Sequence, residues 1–245
     1  MTLRSAWSAS ALGALVIVLG VAPVARSRQA PPASAPTPVA PRPAASSLAP
    51  ATSPSKPPDG AGFIRRWLVL EPLPVPPQLG EAAVQALVKD ARFAERLTAM
   101  PVAGERVTAG DQALSWHALD TLGYNVNLFH FAYALGKPTS NVLFWAVTVV
   151  DAPRELTGVR LAIGSNAASV WWLNGEEVIG LYNDRQAVID DGVSKRVTLK
   201  KGVNVIRAAI VNAGGATDFC ARIIDEDGTP VKSFTTRLTT ASIAR

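Results

Sequence analysis

The stretch Ser169-Val-Trp-Trp-Leu-Asn-Gly-Glu-Glu-Val178 decides the fold class. Five residues of strand character run into Asn174-Gly175, a pair that adopts the positive φ angles of a tight type I′ turn. In a strand, alternation puts Ser169, Trp171 and Leu173 on one face and Val170 with Trp172 on the other. One tryptophan therefore belongs to a core, and the other to the opposite face of the same sheet. Downstream, Lys195–Leu199 and Val203–Asn212 flank Lys201-Gly202, and Asp218–Asp225 and Thr229–Phe234 flank Asp227-Gly228. Upstream, Phe63–Leu70, Ala113–Trp116, Val142–Val150 and Thr157–Gly164 also read as strands. Between the first two of these, Glu81–Leu97 places Val84, Leu87, Val88, Ala91 and Ala94 near helical spacing, with a break at Lys89-Asp90. Many short strands, frequent turn pairs and one or two short helices near the N-terminal side predict an all-β, antiparallel two-sheet sandwich.

Three motifs sharpen this reading. Trp172-Leu173-Asn174-Gly175, then Leu199-Lys-Lys-Gly-Val-Asn204, then Phe219-Cys-Ala-Arg222 followed by Asp225-Glu-Asp-Gly228, resemble the jelly-roll domains grouped as galactose-binding-domain-like, including the sugar-binding domains of many glycoside hydrolases. The opening Phe63-Ile-Arg-Arg-Trp-Leu-Val-Leu-Glu-Pro-Leu-Pro74 is similar to the start of such modules in secreted bacterial proteins. The resemblance spans about residues 63 to 234 and is best from 142 onward. It implies a jelly-roll β-sandwich and a carbohydrate partner. The matched residues are mostly turns and core, so they identify no ligand. Asn174-Gly175 is expected to be a hairpin turn, and Asn204 to bond nearby backbone.

For a sugar site, an accessible indole at Trp172 would stack on the apolar face of a sugar ring; its alternative is packing beneath a loop. The polar loop after the hairpin supplies Tyr182, Asn183, Asp184 and Arg185, an aromatic platform with acceptors and a forked donor for hydroxyls. The competing reading folds Tyr182 onto the sandwich edge beside a solvated turn. Asp190-Asp191 next to a glycine reads as a turn, because two carboxylates are not a calcium ligand set. No cofactor and no metal are expected.

Enzyme readings find little support. His117 and His130 sit among apolar neighbours and read as satisfied histidines at strand ends. Ile163-Gly-Ser-Asn166 is not a nucleophile elbow. No phosphate loop, His-Glu-x-x-His or Cys-x-x-Cys occurs. The single cysteine, Cys220, permits no intrachain disulfide and reads as a buried thiol within a strand.

Ahead of the sandwich lie two segments of different chemistry. Residues 5–25 carry no charge, follow Arg4 and include an apolar run from Ala11 to Val21. Residues 1–27 are read as an export signal with a small-x-small site at Ala25-Arg26-Ser27, or, if uncleaved, as a membrane anchor. Residues 28–60 hold ten of the 19 prolines and read as a disordered linker. The assigned organisation is 1–27 signal, 28–60 linker, 61–237 sandwich and 238–245 tail, in a protein that is secreted, periplasmic or anchored through its N-terminal segment. The chain's net charge is +5. Arg4 and Arg26 contribute +2, and Arg28, Arg42 and Lys56 against Asp59 contribute another +2, which leaves 61–245 at +1. The sandwich thus lacks the electrostatic footprint of a nucleic-acid binder. The partners expected are a carbohydrate or a cell-envelope protein, and the function is that of a non-catalytic carbohydrate-binding module or, alternatively, a structural or protein-interaction module of the envelope, with a stand-alone hydrolase as the third reading.

Overall fold

Two long strands, β7 (Val142–Ala152) and β13 (Gly202–Asn212), pair antiparallel over their whole length, from Gly202 opposite Ala152 to Asn212 opposite Val142. Neither shows a polar face: every residue of β7 except Asp151 is buried. The sheet built on them is covered on both sides, which is why its central strands are nearly unbroken apolar runs. The structure, a computed structural model, describes residues 48–77, 80–90, 100–109, 111–183 and 185–241. The signal segment, most of the linker and the end of the tail lie outside the described residues, as does the second half of the expected helical stretch.

In chain order the remaining elements are β1 (Leu48–Pro50), β2 (Arg66–Leu70), β3 (Leu73–Pro74), α1 (Glu81–Lys89), β4 (Arg106–Ala109), β5 (Gln112–Thr121), β6 (Val126–Asn127) and α2 (Leu128–Ala134). After β7 come β8 (Leu156–Ser165), β9 (Ala168–Leu173), β10 (Glu176–Leu181), β11 (Gly192–Val193) and β12 (Val197–Leu199), and after β13 come β14 (Asp218–Ile224) and β15 (Thr235–Arg237). The larger sheet runs β1-β5-β2-β7-β13-β9-β10, with β3 and β15 also on β7 and β4 on β5. The smaller runs β11-β8-β14-β6, with β12 on β8. All pairings are antiparallel, and the two sheets form a β-sandwich.

The core between the sheets takes the even-numbered residues of β7 and β13, including Phe144, Ala146, Ile206 and Ile210, with Leu161, Ile163, Phe219 and Ile223 from the smaller sheet. At its centre Trp67, Trp171 and Phe219 meet edge-on, with centroids 5.0–6.1 Å apart. A second core lies on the outer face of the larger sheet, where Trp145, Val170, Trp172 and Ala209 meet Val84 and Val88 of α1. The expected break at Lys89-Asp90 is where α1 stops.

The hairpin motifs fold as their sequences require. Asn174 and Gly175 have φ of 54° and 88°. The Asn204 side chain accepts from Lys200 N at 2.9 Å and donates to the carbonyls of Lys200 and Gly202 at 2.8 and 3.1 Å. Asn174 Nδ2 donates to Asn204 Oδ1 at 3.0 Å, so the two turns brace each other.

Three features differ from expectation. Residues 48–60, assigned to the linker, belong in the structure to the sandwich: β1 pairs with β5, and Lys56 exchanges backbone hydrogen bonds with Thr236. An extended, proline-bearing chain suits an edge strand, where proline's missing N–H costs nothing. Arg66, with no exposed surface, completes the attachment. It forks onto Asp120 with two 2.9 Å bonds and donates to Ser53 O and Oγ at 2.6 and 2.8 Å. Second, Leu128–Ala134 is a helix in mid-chain, and neither histidine is at a strand end: His130 sits on this helix and His117 in the middle of β5. Asn127 Oδ1 caps it by accepting from His130 N at 2.7 Å, and Leu128, Phe131 and Ala132 face inward. Third, Thr229–Phe234 forms only a single bridge, Pro230 to Ile224, before β15 begins.

Candidate functional site

The residues picked out for a sugar site separate in the fold. Trp172 is 6% exposed and packs against Trp145, centroids 5.7 Å apart, within the outer core beneath α1. It offers no open face to a sugar ring, because the segment after β2 returns over the outer face of the sheet. Trp171 is fully buried, its Nε1 donating to Ser169 Oγ at 3.0 Å.

Tyr182 folds back along its own strand, so close that a Cβ on Gly180 would lie 2.2 Å from its hydroxyl oxygen. That hydroxyl accepts from Gln85 Nε2 at 2.6 Å and donates to Glu177 Oε1 at 3.4 Å, fastening β10 to α1. Burial, with the carboxylates of Glu177 and Glu81 nearby, pushes its pKa above the ordinary tyrosine value. Asn183 is exposed and accepts from Arg185 Nη1 at 3.3 Å. Asp184 lies outside the described residues. Arg185 is paired with Asp191, and Arg222 with Asp190. Both carboxylates of the Asp-Asp pair thus already serve guanidinium groups, and the loop is drawn down onto β8 until Val188 O would stand 2.2 Å from a Cβ on Gly164. Among the described residues no group of three or more His, Cys, Asp or Glu could hold a metal ion.

A concave surface exists at the other end of the strands. Leu181 lies opposite Ser169 at one end of the β9–β10 hairpin, and Glu176 opposite Leu173 at the other. At this second end, where β10 and β12 leave the side of the sandwich open, lies a groove of about 550 Å³. Leu173, Val178 and Val197 give it an apolar floor; Asn174, Glu176, Lys195, Arg196, Thr198 and Lys200 surround it. Lys195 is paired with Glu176 across the opening, and Arg196 with Glu226 outside it. The turn network of Asn174, Asn204 and Lys200 fixes one wall. Gly158 has φ of 70° and lets Glu226 approach, since a Cβ there would meet its carboxylate at 2.7 Å. The motifs that contain Leu173, Asn174 and Lys200 read as turns and core and did not mark this groove, because its walls, 173–178 and 195–200, lie apart in sequence and belong to different sheets.

Neither histidine nor Cys220 lines the groove. His117 Nε2 lies 3.2 Å from Glu71 Oε1, and Lys137 Nζ lies 3.0 Å from Glu71 Oε2. Burial alone would raise the Glu71 pKa, but these two partners hold it below the ordinary value. The Cys220 thiol is buried, which pushes its pKa up to about 11. No helix among the described residues is long and apolar enough to cross a membrane.

No protein-family model and no characterised relative matches the chain. Similar solved structures include a β-glucosidase from Kluyveromyces marxianus, at 23% identity and a TM-score of 0.37, over 50% of this chain and 16% of that one. This chain therefore spans about a sixth of the glucosidase. A PA14 sugar-binding domain from an RTX adhesin aligns at 12% identity over 70% of this chain and 96% of that one, with a TM-score of 0.41. The PA14 domain of the antifreeze protein MpAFP aligns at 13% identity over 79% and 100%, with a TM-score of 0.43.

Proposed function

We propose that the protein is an exported, non-catalytic β-sandwich module that binds carbohydrate in the groove between the β9–β10 hairpin and β12. The groove carries this reading. Its volume of about 550 Å³ suits a small ligand, and its make-up matches a pyranose, which has apolar C–H faces and a rim of hydroxyls. Half-buried Val197 would lie under the ring, with the buried Leu173 and Val178 closing the floor behind it. Asn174 and Thr198 offer both donors and acceptors, Glu176 accepts, and Lys195, Arg196 and Lys200 donate. The non-catalytic character is supported by the groove's lining, which among the described residues holds one carboxylate, Glu176, where a glycosidase needs two, and by the burial of the Cys220 thiol. Export is supported by the uncharged N-terminal segment alone.

The test is affinity electrophoresis and thermal shift of the full chain with neutral and acidic soluble glycans, alongside Thr198→Trp. Thr198 is exposed on β12, so an indole there fills the groove without entering a core. Binding by the wild type that is lost in Thr198→Trp supports the site. Binding of every glycan left unchanged by the substitution moves the site elsewhere, and absence of binding to every glycan removes the carbohydrate reading in favour of a protein-interaction module.

A further inference from the structure

The outward side of α2 is an aromatic surface at a distance from the groove. Tyr133 is 73% exposed, and its ring is parallel to that of half-buried Phe129 one turn earlier, interplanar angle 6° with centroids 6.3 Å apart. His130 stands beside Phe129, centroids 6.1 Å apart, and Leu135 at the helix end is also exposed. The helix beneath is held firmly. Leu128, Phe131 and Ala132 enter the core, Leu128 N and Phe129 N both donate to Thr217 O at 2.9 and 3.0 Å, and Lys137 N closes the far end on Ala132 O at 2.9 Å. Such anchoring fixes the rings before any contact is made.

We propose that this face of α2 is a second glycan-binding surface, stacking neutral polysaccharide on Tyr133 and Phe129. Two physical arguments select the occupant. From Leu122 to Gly136 there is no Asp, Glu, Lys or Arg, so the segment itself offers no cation for a polyanion or an anionic bilayer. Two aromatic rings bury at most about 300–500 Å² between them. That falls short of the roughly 800 Å² per partner of a stable protein interface, yet it suffices for two pyranose faces. The Tyr133 hydroxyl and the His130 ring provide hydrogen-bonding groups at the edge of the platform.

This surface is independent of the groove. α2 follows β6, whose Asn127 pairs with Asp218 at the start of β14, and Phe219 there pairs with Ser165 at the end of β8. Gly158, which lines the groove, lies near the other end of β8. Seven residues of strand separate the two levels by roughly 23 Å.

The experiment is depletion of the full chain from solution by particles of microcrystalline cellulose, insoluble xylan, mannan and chitin, at low and high salt. The expected result is salt-insensitive retention on at least one, reduced about fivefold or more by Tyr133→Ala or Phe129→Ala, as loss of one stacking contact requires. Tyr133→Phe should retain the ring contact, and Tyr133→Ala should melt as the wild type does. Thr198→Trp should leave this retention within about twofold, which separates the surface from the groove. Retention unaffected by Tyr133→Ala, retention abolished only by Thr198→Trp, no retention on any particle, or a dimer that Tyr133→Ala converts to monomer would each overturn the proposal.

Discussion

Replacing Asp120 by alanine removes the partner of an arginine that has no contact with solvent. Arg66 gives Asp120 two parallel bonds of 2.9 Å, and Lys56 lies 3.1 Å from the same carboxylate. Lys56 is partly exposed and can turn to water. Arg66 cannot, and it keeps only the two bonds to Ser53, which themselves depend on residues 48–56 staying docked. Stranding a buried charge in this way costs about 3–5 kcal/mol. At about 2–4 °C per kcal/mol for a domain of this size, the melting midpoint should fall by roughly 6–20 °C. Circular dichroism melts of the full chain read this directly, and limited proteolysis should show cleavage within 48–60 appearing first. The double variant Arg66→Met/Asp120→Leu, which removes both charges, should recover most of the loss. A loss below about 1 kcal/mol, the value of an exposed ion pair, would refute the claim that this pair is buried and fastens the proline-bearing edge strand.

Other consequences follow from the same packing. Trp172→Ala should destabilise the protein by about 3–5 kcal/mol in chemical denaturation while leaving the groove's walls in place, because it empties the outer core; a loss under about 1 kcal/mol would mean that the indole is not packed there. Gly164→Ala should lower the melting midpoint and speed hydrogen exchange in 185–191, since its Cβ would lie 2.2 Å from Val188 O; unchanged exchange would show that the loop does not rest on β8. Asp120 has its pKa held below 3.8 by Arg66 and Lys56, which outweigh the opposing effect of burial. Its contribution to stability is therefore present above that pH and is lost as pH falls through the depressed value, so Asp120→Asn should lose less stability than the wild type between about pH 5 and pH 3. Equal acid sensitivity would contradict that assignment.

What could be read in advance was local. Asn174-Gly175 encodes its own turn through positive φ, Asn204 bonds backbone two and four residues away, and alternation correctly assigned Trp171 and Trp172 to opposite faces. What depended on distant partners was hidden. For Trp172 the sequence left open stacking on a sugar or packing beneath a loop, because nothing in its neighbourhood shows that Leu73, Val75 and α1 return to cover it. The Pro-rich residues 48–60 looked unfoldable because the groups that hold them, Arg66, Asp120 and Thr236, lie elsewhere in the chain. The helix α2 did leave a signal, Asn127 followed by Leu128, Phe131 and Ala132 at helical spacing, but its short length conceals the period. The groove leaves no such trace, being assembled from one strand edge of each sheet.

The proposed occupant of that groove is carbohydrate. Amide chemical-shift mapping of the ¹⁵N-labelled chain, titrated with soluble oligosaccharides, tests it most directly. The expected result is saturable shifts at residues 173–178 and 195–200 that are absent in Thr198→Trp, whether or not α2 also responds. Shifts clustered instead at 182–191, or none with any oligosaccharide, would contradict it.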